Sequence, residues 1–234
     1  MRTLYFFFLF IALVVLSACD EHSDYVILDV TNGEEYLNGD YYIDERGNEG
    51  VVGYMSTRTP ELIMIVSLDE TILPWGPMDE AVCSVDTLNT NVLTNPSFGL
   101  SMLQSMQAIG ISRFPAMAWC NQKNGNEQLA NASSWRLPTR YELGLIFDNI
   151  KSINNIIADV DGTPIRADRY YWTCLEDYET TKGTSGKADA YDCDRANRAL
   201  PINSSKATPP DKDYWLKKNH YYVRAIKYIY FKNS

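Results

Sequence analysis

The sequence predicts an α+β domain in which a twisted antiparallel sheet is joined by two or three helices and a long loop region. Three observations predict it. Thr139 can cap a helix and Glu142 lies three residues later, the spacing of a capping box, while Pro138 disfavours an earlier start. Leu143, Ile146, Phe147 and Ile150 follow at i, i+3, i+4 and i+7, which places four apolar side chains on one face of a helix from about Arg140 to Lys151. Runs dense in Val, Ile, Tyr and Trp lie at Gly50 to Met55, Leu62 to Leu68, Tyr170 to Cys174 and His220 to Phe231, a composition that favours strands.

The elements can be taken in order. Met1-Arg2 is a minimal positive start, and Phe6 to Leu16 is an apolar run too short to span a bilayer as a helix, so residues 1–18 read as an export signal. Leu16-Ser17-Ala18-Cys19 resembles a lipobox, which implies cleavage before Cys19, acylation of that residue and attachment to a membrane by lipid. Asp20 and Glu21 resemble the export tags of surface lipoproteins in some Gram-negative anaerobes, which implies the outer face of the outer membrane, with the periplasmic face as the other possibility. Residues 19–39 then read as the lipidated cysteine with a polar tether, interrupted by a short extension strand at Tyr25 to Leu28.

From residue 40 the chain reads as one folded unit to residue 234. Gly50 to Met55 and Leu62 to Leu68 form a hairpin across a Pro-containing turn. Leu68 to Pro96 carries three prolines and little periodicity, so a long connection is expected there. Leu100, Leu103, Met106 and Ile109 outline a helix that Gly110 ends, with a Met and Leu stripe for the core. Pro115 opens a second short helical stretch to Lys123, and Asn121 to Ser134 makes a polar loop. Trp135 and Trp172 belong to the core. After the strand at Tyr170 to Cys174, Leu175 to Pro210 is rich in Gly, Ser, Thr, Asp and Pro and reads as loop. Tyr214-Trp215-Leu216 is expected to return as a strand before the last one.

Several of these stretches share a family resemblance. Trp135-Arg136-Leu137-Pro138-Thr139 followed by Glu142-Leu143 resembles the signature of the Lcl carboxy-terminal domain family, named for a collagen-like bacterial adhesin and assigned to the C-type-lectin-like fold. Val51 to Tyr54, Ile65 to Glu70, Phe114 to Cys120, Tyr170 to Thr173 and Tyr222 to Ile226 resemble its other segments in the same order. The resemblance implies a C-type-lectin-like domain over residues 40–234, an opening strand that pairs with the closing one, and ligand binding through the C-terminal loops. Some such domains are variable proteins of diversity-generating systems.

Four cysteines remain beyond Cys19: Cys83, Cys120, Cys174 and Cys193. Export permits disulfides, and four cysteines allow three pairings. Cys174 with Cys193 is favoured because the two flank the Gly/Ser/Asp-rich segment, a closure that stabilises by about 3 kcal/mol in the chain-entropy picture. Cys83 with Cys120 follows by elimination, and free buried thiols are the alternative.

The chemistry that the residues allow is narrow. The formal charge of −9 lacks the basic footprint that nucleic acid requires. The calcium loops of sugar-binding C-type lectins carry Glu-Pro-Asn or Gln-Pro-Asp with a later Trp-Asn-Asp, and none of these occurs, so calcium is possible only without a recognised sugar-site motif. Asp159-Val160-Asp161-Gly162 and the cluster Asp189, Asp192, Asp194 read as solvated loop carboxylates; no metal site and no cofactor are expected. Gly183 to Lys187 fails as a phosphate loop because Ala188 stands where Ser or Thr belongs. Two histidines, His22 and His220, give little basis for a nucleophile and base pair, and Glu176, Asp177 and Glu179 show no defined separation.

Recognition remains. Sixteen tyrosines and five tryptophans supply contact area at low entropic cost. Tyr178, Tyr191, Tyr214 and Trp215, with Asp192 and Asp194, are the candidate ligand contacts. The expectation is a non-enzymatic, lipid-anchored envelope protein that binds a glycan, a matrix component or a protein partner. The alternatives are an accessory subunit of a surface assembly, such as a pilus tip or nutrient-uptake complex, and a carbohydrate-active enzyme.

Overall fold

The described residues form two four-stranded sheets, and both the hairpin and the closing segment help to build them. The computed structural model describes residues 39–55, 62–82, 96–125, 130–131, 133–176, 199–209 and 216–230. Strands β1 (Tyr41–Ile43), β2 (Glu49–Met55), β3 (Leu62–Ser67) and β8 (Ile226–Tyr230) form the first sheet in the order β1-β2-β3-β8, antiparallel throughout. Strands β4 (Thr71–Pro74), β5 (Tyr171–Glu176), β6 (Ala199–Ile202) and β7 (His220–Val223) form the second in the order β4-β7-β5-β6, where only the β5–β7 contact is parallel. The helices are α1 (Pro96–Ile109), α2 (Pro115–Gln122), α3 (Arg140–Asp148) and α4 (Ile150–Asp159), with a 3-10 turn at Ile111–Arg113. The protein is thus mixed α+β with predominantly antiparallel sheets.

The unbroken apolar run of β3 is explained by burial on both faces, because alternate residues of a strand point to opposite sides. Ile63 and Ile65 enter one core with Met102, Leu103 and Met106 of α1 and Met117 of α2. Met64 and Val66 enter the other with Leu143, Ile146 and Phe147 of α3 and Ile153 and Ile157 of α4. The Met and Leu stripe is core, as the spacing indicates, and Trp135 and Trp172 are buried. Gly53 lies where the β2–β3 register shifts between Val52 and Tyr54, and a methyl group there would come within 2.5 Å of Val66 Cγ2. Gly110 adopts a φ of 120°, a conformation that ends α1 and suits glycine.

The capping box forms as the sequence indicates. Glu142 N–H donates to Thr139 Oγ1 at 3.2 Å and Thr139 N–H donates to Glu142 Oε2 at 2.7 Å. The same carboxylate accepts from Arg136 Nη2 at 2.7 Å and Nη1 at 2.8 Å, so the helix start is locked by a buried, two-pronged ion pair. Arg136 also exchanges two backbone hydrogen bonds with Ile226, each 2.9 Å, which lays the motif along the outer side of β8.

Four expectations are corrected. The connection from Leu68 to Pro96 contains β4, whose four residues were too short and too close to prolines to show. The helix expected to stop near Lys151 continues, after Asn149, as α4 to Asp159, with Ile153 and Ile157 facing the core. The segment Leu175 to Pro210 is not wholly loop, since β5 runs to Glu176 and β6 spans Ala199–Ile202. The closing segment is two strands rather than one: β7 serves the second sheet and β8 the first, and β8 pairs with β3 while β1 lies at the far edge.

Arg224 stands at that change of sheet. Its Nη1 donates to the carbonyls of Ser67 and Leu68 at 2.8 and 2.9 Å, and its Nη2 donates to Glu70 Oε2 and the Thr163 carbonyl, both at 2.6 Å. Residues 68 to 70 are where the chain passes from β3 to β4, the other change of sheet. One guanidinium therefore ties both crossings, and Tyr171 Oη adds a hydrogen bond to Glu70 Oε2 at 3.0 Å.

Candidate functional site

Tyr178, Tyr191, Asp192, Asp194, Tyr214 and Trp215 lie outside the described residues, as do Cys19, Cys83, Cys193 and the acidic residues Asp177, Glu179 and Asp189. What the structure describes is the ground from which those stretches depart. Val82 precedes 83–95, Glu176 and Ala199 flank 177–198, and Pro209 and Leu216 flank 210–215.

Three of these roots meet at one buried ion pair. Glu176 ends β5 on a strand whose six residues are all buried, so its carboxylate is held inside the fold. Lys217 Nζ donates to Glu176 Oε1, and the side-chain exposures are 0% for the lysine and 4% for the glutamate. The second carboxylate oxygen, Oε2, accepts from Val82 N–H at 2.9 Å, and the ammonium also donates to the Glu80 carbonyl at 2.6 Å. The ammonium sits 4.7 Å from the centre of the Trp75 ring, a cation–π contact on a fully buried indole. Burial lowers the Lys217 pKa, and the neighbouring Glu176 opposes that shift without cancelling it.

Trp75 is fixed from several sides. Its indole N–H donates to the Thr173 carbonyl at 2.9 Å, its backbone N–H donates to the Lys217 carbonyl at 2.8 Å, and its ring meets Phe114 edge-on at 5.9 Å. Trp172 Nε1 similarly donates to the Leu73 carbonyl at 3.0 Å. A buried ion pair contributes little net stability over an apolar replacement, but loss of one partner costs about 3–5 kcal/mol. The pair therefore fixes geometry: it holds Val82, Glu176 and Lys217 in one place.

Beside it runs an aromatic strip on β5 and β7. Tyr221 packs edge-on against Trp172 at 4.8 Å and Tyr170 at 6.0 Å, while Tyr222 lies 5.2 Å from Tyr171 and accepts from Arg166 Nη1 at 3.4 Å. Tyr170, Tyr221 and Tyr222 are half-buried, and Ile72, paired with Tyr222 across β4 and β7, is 49% exposed.

Of the disulfide candidates, Cys120 is a free thiol in the core, where α2 turns it inward among Met117, Leu103 and Trp135, while its candidate partner Cys83 lies outside the described residues. Burial pushes its pKa well up, which keeps it protonated. Cys174 is buried in the same core. Glu176, one of three acidic residues with no separation defined by the sequence, is committed to Lys217 and Val82. Among the described residues no three His, Cys, Asp or Glu side chains gather to hold a metal, and no helix is long and apolar enough to cross a membrane. Sequence reasoning missed Lys217, Trp75 and Arg224, because neither a charged residue beside a strand nor a lone tryptophan between prolines carries a pattern that marks it as a buried tie.

No family model matches the chain, and no curated protein matches it. Among solved structures the chain is similar to a fimbrial protein from Bacteroides ovatus, with a TM-score of 0.55 at 13% identity. The likeness covers 82% of this chain and 48% of that one, so the chain spans about half the length of the structure it matches. At this identity the likeness concerns the fold alone.

Proposed function

We propose that this chain is a non-enzymatic subunit of a cell-surface assembly, of the pilus-tip or nutrient-uptake kind, anchored in the outer membrane through Cys19. The observation that carries the proposal is the fold shared with a fimbrial protein over 82% of the chain. The export signal and the acidic residues after Cys19 support a surface location. The Lys217–Glu176 pair supports contact through the C-terminal loops, because a recognition surface made from separate segments needs their roots held together. Tyr178, Tyr191, Asp192, Asp194, Tyr214 and Trp215 are the proposed partner contacts, and the partner is a protein of the same assembly rather than a free glycan. The lectin-like reading of the fold rests on the Trp135 to Leu143 motif and on the closing strand beside β3.

The test is purification of the full-length lipoprotein from its native membrane. A partner protein should co-purify in fixed stoichiometry and be lost when Tyr178, Tyr191, Tyr214 and Trp215 are replaced together by Ser. Saturable binding to a glycan or matrix array with no protein partner would replace this reading with stand-alone recognition. Calcium should make no difference to recovery of the partner.

A further inference from the structure

Lys217 and Glu176 have more in common than an ion pair requires. The lysine amine is fully buried, touches one carboxylate oxygen, and is held by a second acceptor, the Glu80 carbonyl at 2.6 Å, that fixes its direction. The other carboxylate oxygen receives the Val82 N–H at 2.9 Å. The Trp75 ring lies 4.7 Å from the ammonium. This is an amine in contact with a carboxyl group, away from water, with a backbone donor already placed on the oxygen that would carry negative charge if the amine attacked. Burial favours the uncharged form of the lysine, and permanent contact with the carboxyl group removes the entropic barrier of a bimolecular encounter.

We propose that Lys217 and Glu176 join in an intramolecular amide bond that covalently staples the end of β5 to the segment entering β7. The ammonium passes a proton to the carboxylate, giving an amine and a carboxylic acid. The amine nitrogen forms a bond to the Glu176 carboxyl carbon, and the charge that develops on Oε2 is stabilised by the Val82 N–H as in an oxyanion hole. The C–Oε1 bond then breaks, and Oε1 leaves as water with one proton from the acid and one from the nitrogen. No oxidant, nucleotide or other reactant is consumed. The amide removes two buried charges and keeps an oxygen for Val82 and an N–H for Glu80. Across a subunit that transmits load, the bond would hold the roots of the C-terminal loops against separation. The proposal does not depend on what those loops bind.

Peptide mapping of the full chain, reduced, alkylated and digested with trypsin, decides it. The amide blocks cleavage after Lys217 and joins residues 170–182 to residues 213–218 in one branched peptide. Its mass should be lower than the sum of the two linear peptides by one water, and fragmentation should place the link on Glu176 and not on Asp177 or Glu179. The Lys217→Arg variant should give only linear peptides. Recovery of both linear peptides from the wild-type chain, with cleavage after Lys217 and no branched species, would overturn the proposal, as would a branched peptide that survives in Lys217→Arg.

Discussion

Replacing Glu142 by Gln should destabilise the fold far more than its small change in shape suggests. The Glu142 carboxylate accepts from Arg136 Nη2, Arg136 Nη1 and Thr139 N–H at 2.7, 2.8 and 2.7 Å, with Glu142 at 0% and Arg136 at 3% exposure. An amide supplies one oxygen and one NH2, so whichever way it turns, a donor faces a donor. It also removes the charge that raises the Arg136 pKa; burial alone would lower it. An unpaired buried guanidinium puts the cost at about 3–5 kcal/mol. Thr139→Ala, which removes only the Oγ1 cap, should cost about 1 kcal/mol. Urea unfolding of the full chain measures both, and Arg136→Met combined with Glu142→Gln should recover part of the loss, because the stranded charge is gone. A cost below about 1 kcal/mol for Glu142→Gln would refute the claim that this pair is dry and two-pronged.

Gly99→Ala tests the same locus with an inverted sign. A helix interior normally gains roughly 0.8–1 kcal/mol from this exchange, but here the new methyl group would stand 2.4 Å from Arg136 Nη1. Net destabilisation in thermal unfolding is expected, and a more stable variant would show that the guanidinium is not where it is described. Asp44 supplies a pH dependence. Burial would raise its pKa, but hydrogen bonds from Trp135 Nε1, the Asn48 side chain and the backbone N–H groups of Asn48 and Arg46 outweigh it, and the pKa falls below its ordinary 3.8. A depressed carboxyl binds fewer protons folded than unfolded, so its stabilisation is present above pH 3.8 and is lost as pH falls below it. Unfolding midpoints of the wild type should drop more steeply below that pH than those of Asp44→Asn, and parallel curves would count against the assignment.

How much could be read in advance depended on the range of each interaction. The capping box was legible because Thr139 and Glu142 are three residues apart and act within one turn. The core strand β3 was legible from its apolar run, and Gly110 and Pro115 marked the boundaries of α1 and α2 from local backbone chemistry. The continuation into α4 was there to be found, since Ile150, Ile153 and Ile157 keep the helical spacing past Asn149. The division of the closing segment was not: Arg224 inside a Tyr and Val run looks like an outward residue of one strand. Its role depends on Glu70, 154 residues away in sequence. Lys217 and Glu176 are 41 residues apart and Glu176 and Val82 are 94 apart, so the site arises only when the second sheet is assembled. Glu176 stands out in the sequence only as one acid beside Asp177 and Glu179, because sequence does not say which carboxylate will meet a buried lysine.

The central claim is that this protein works as a part of a larger surface structure, and its native size tests that most directly. Intact cells carrying the protein would be treated with a membrane-impermeant cross-linker, solubilised in mild detergent and separated by size, with the chain followed by antibody. Recovery in a discrete complex larger than the chain itself, containing a second protein at fixed ratio, is the predicted result. A chain that migrates alone at its own mass, with and without cross-linking, would contradict the account.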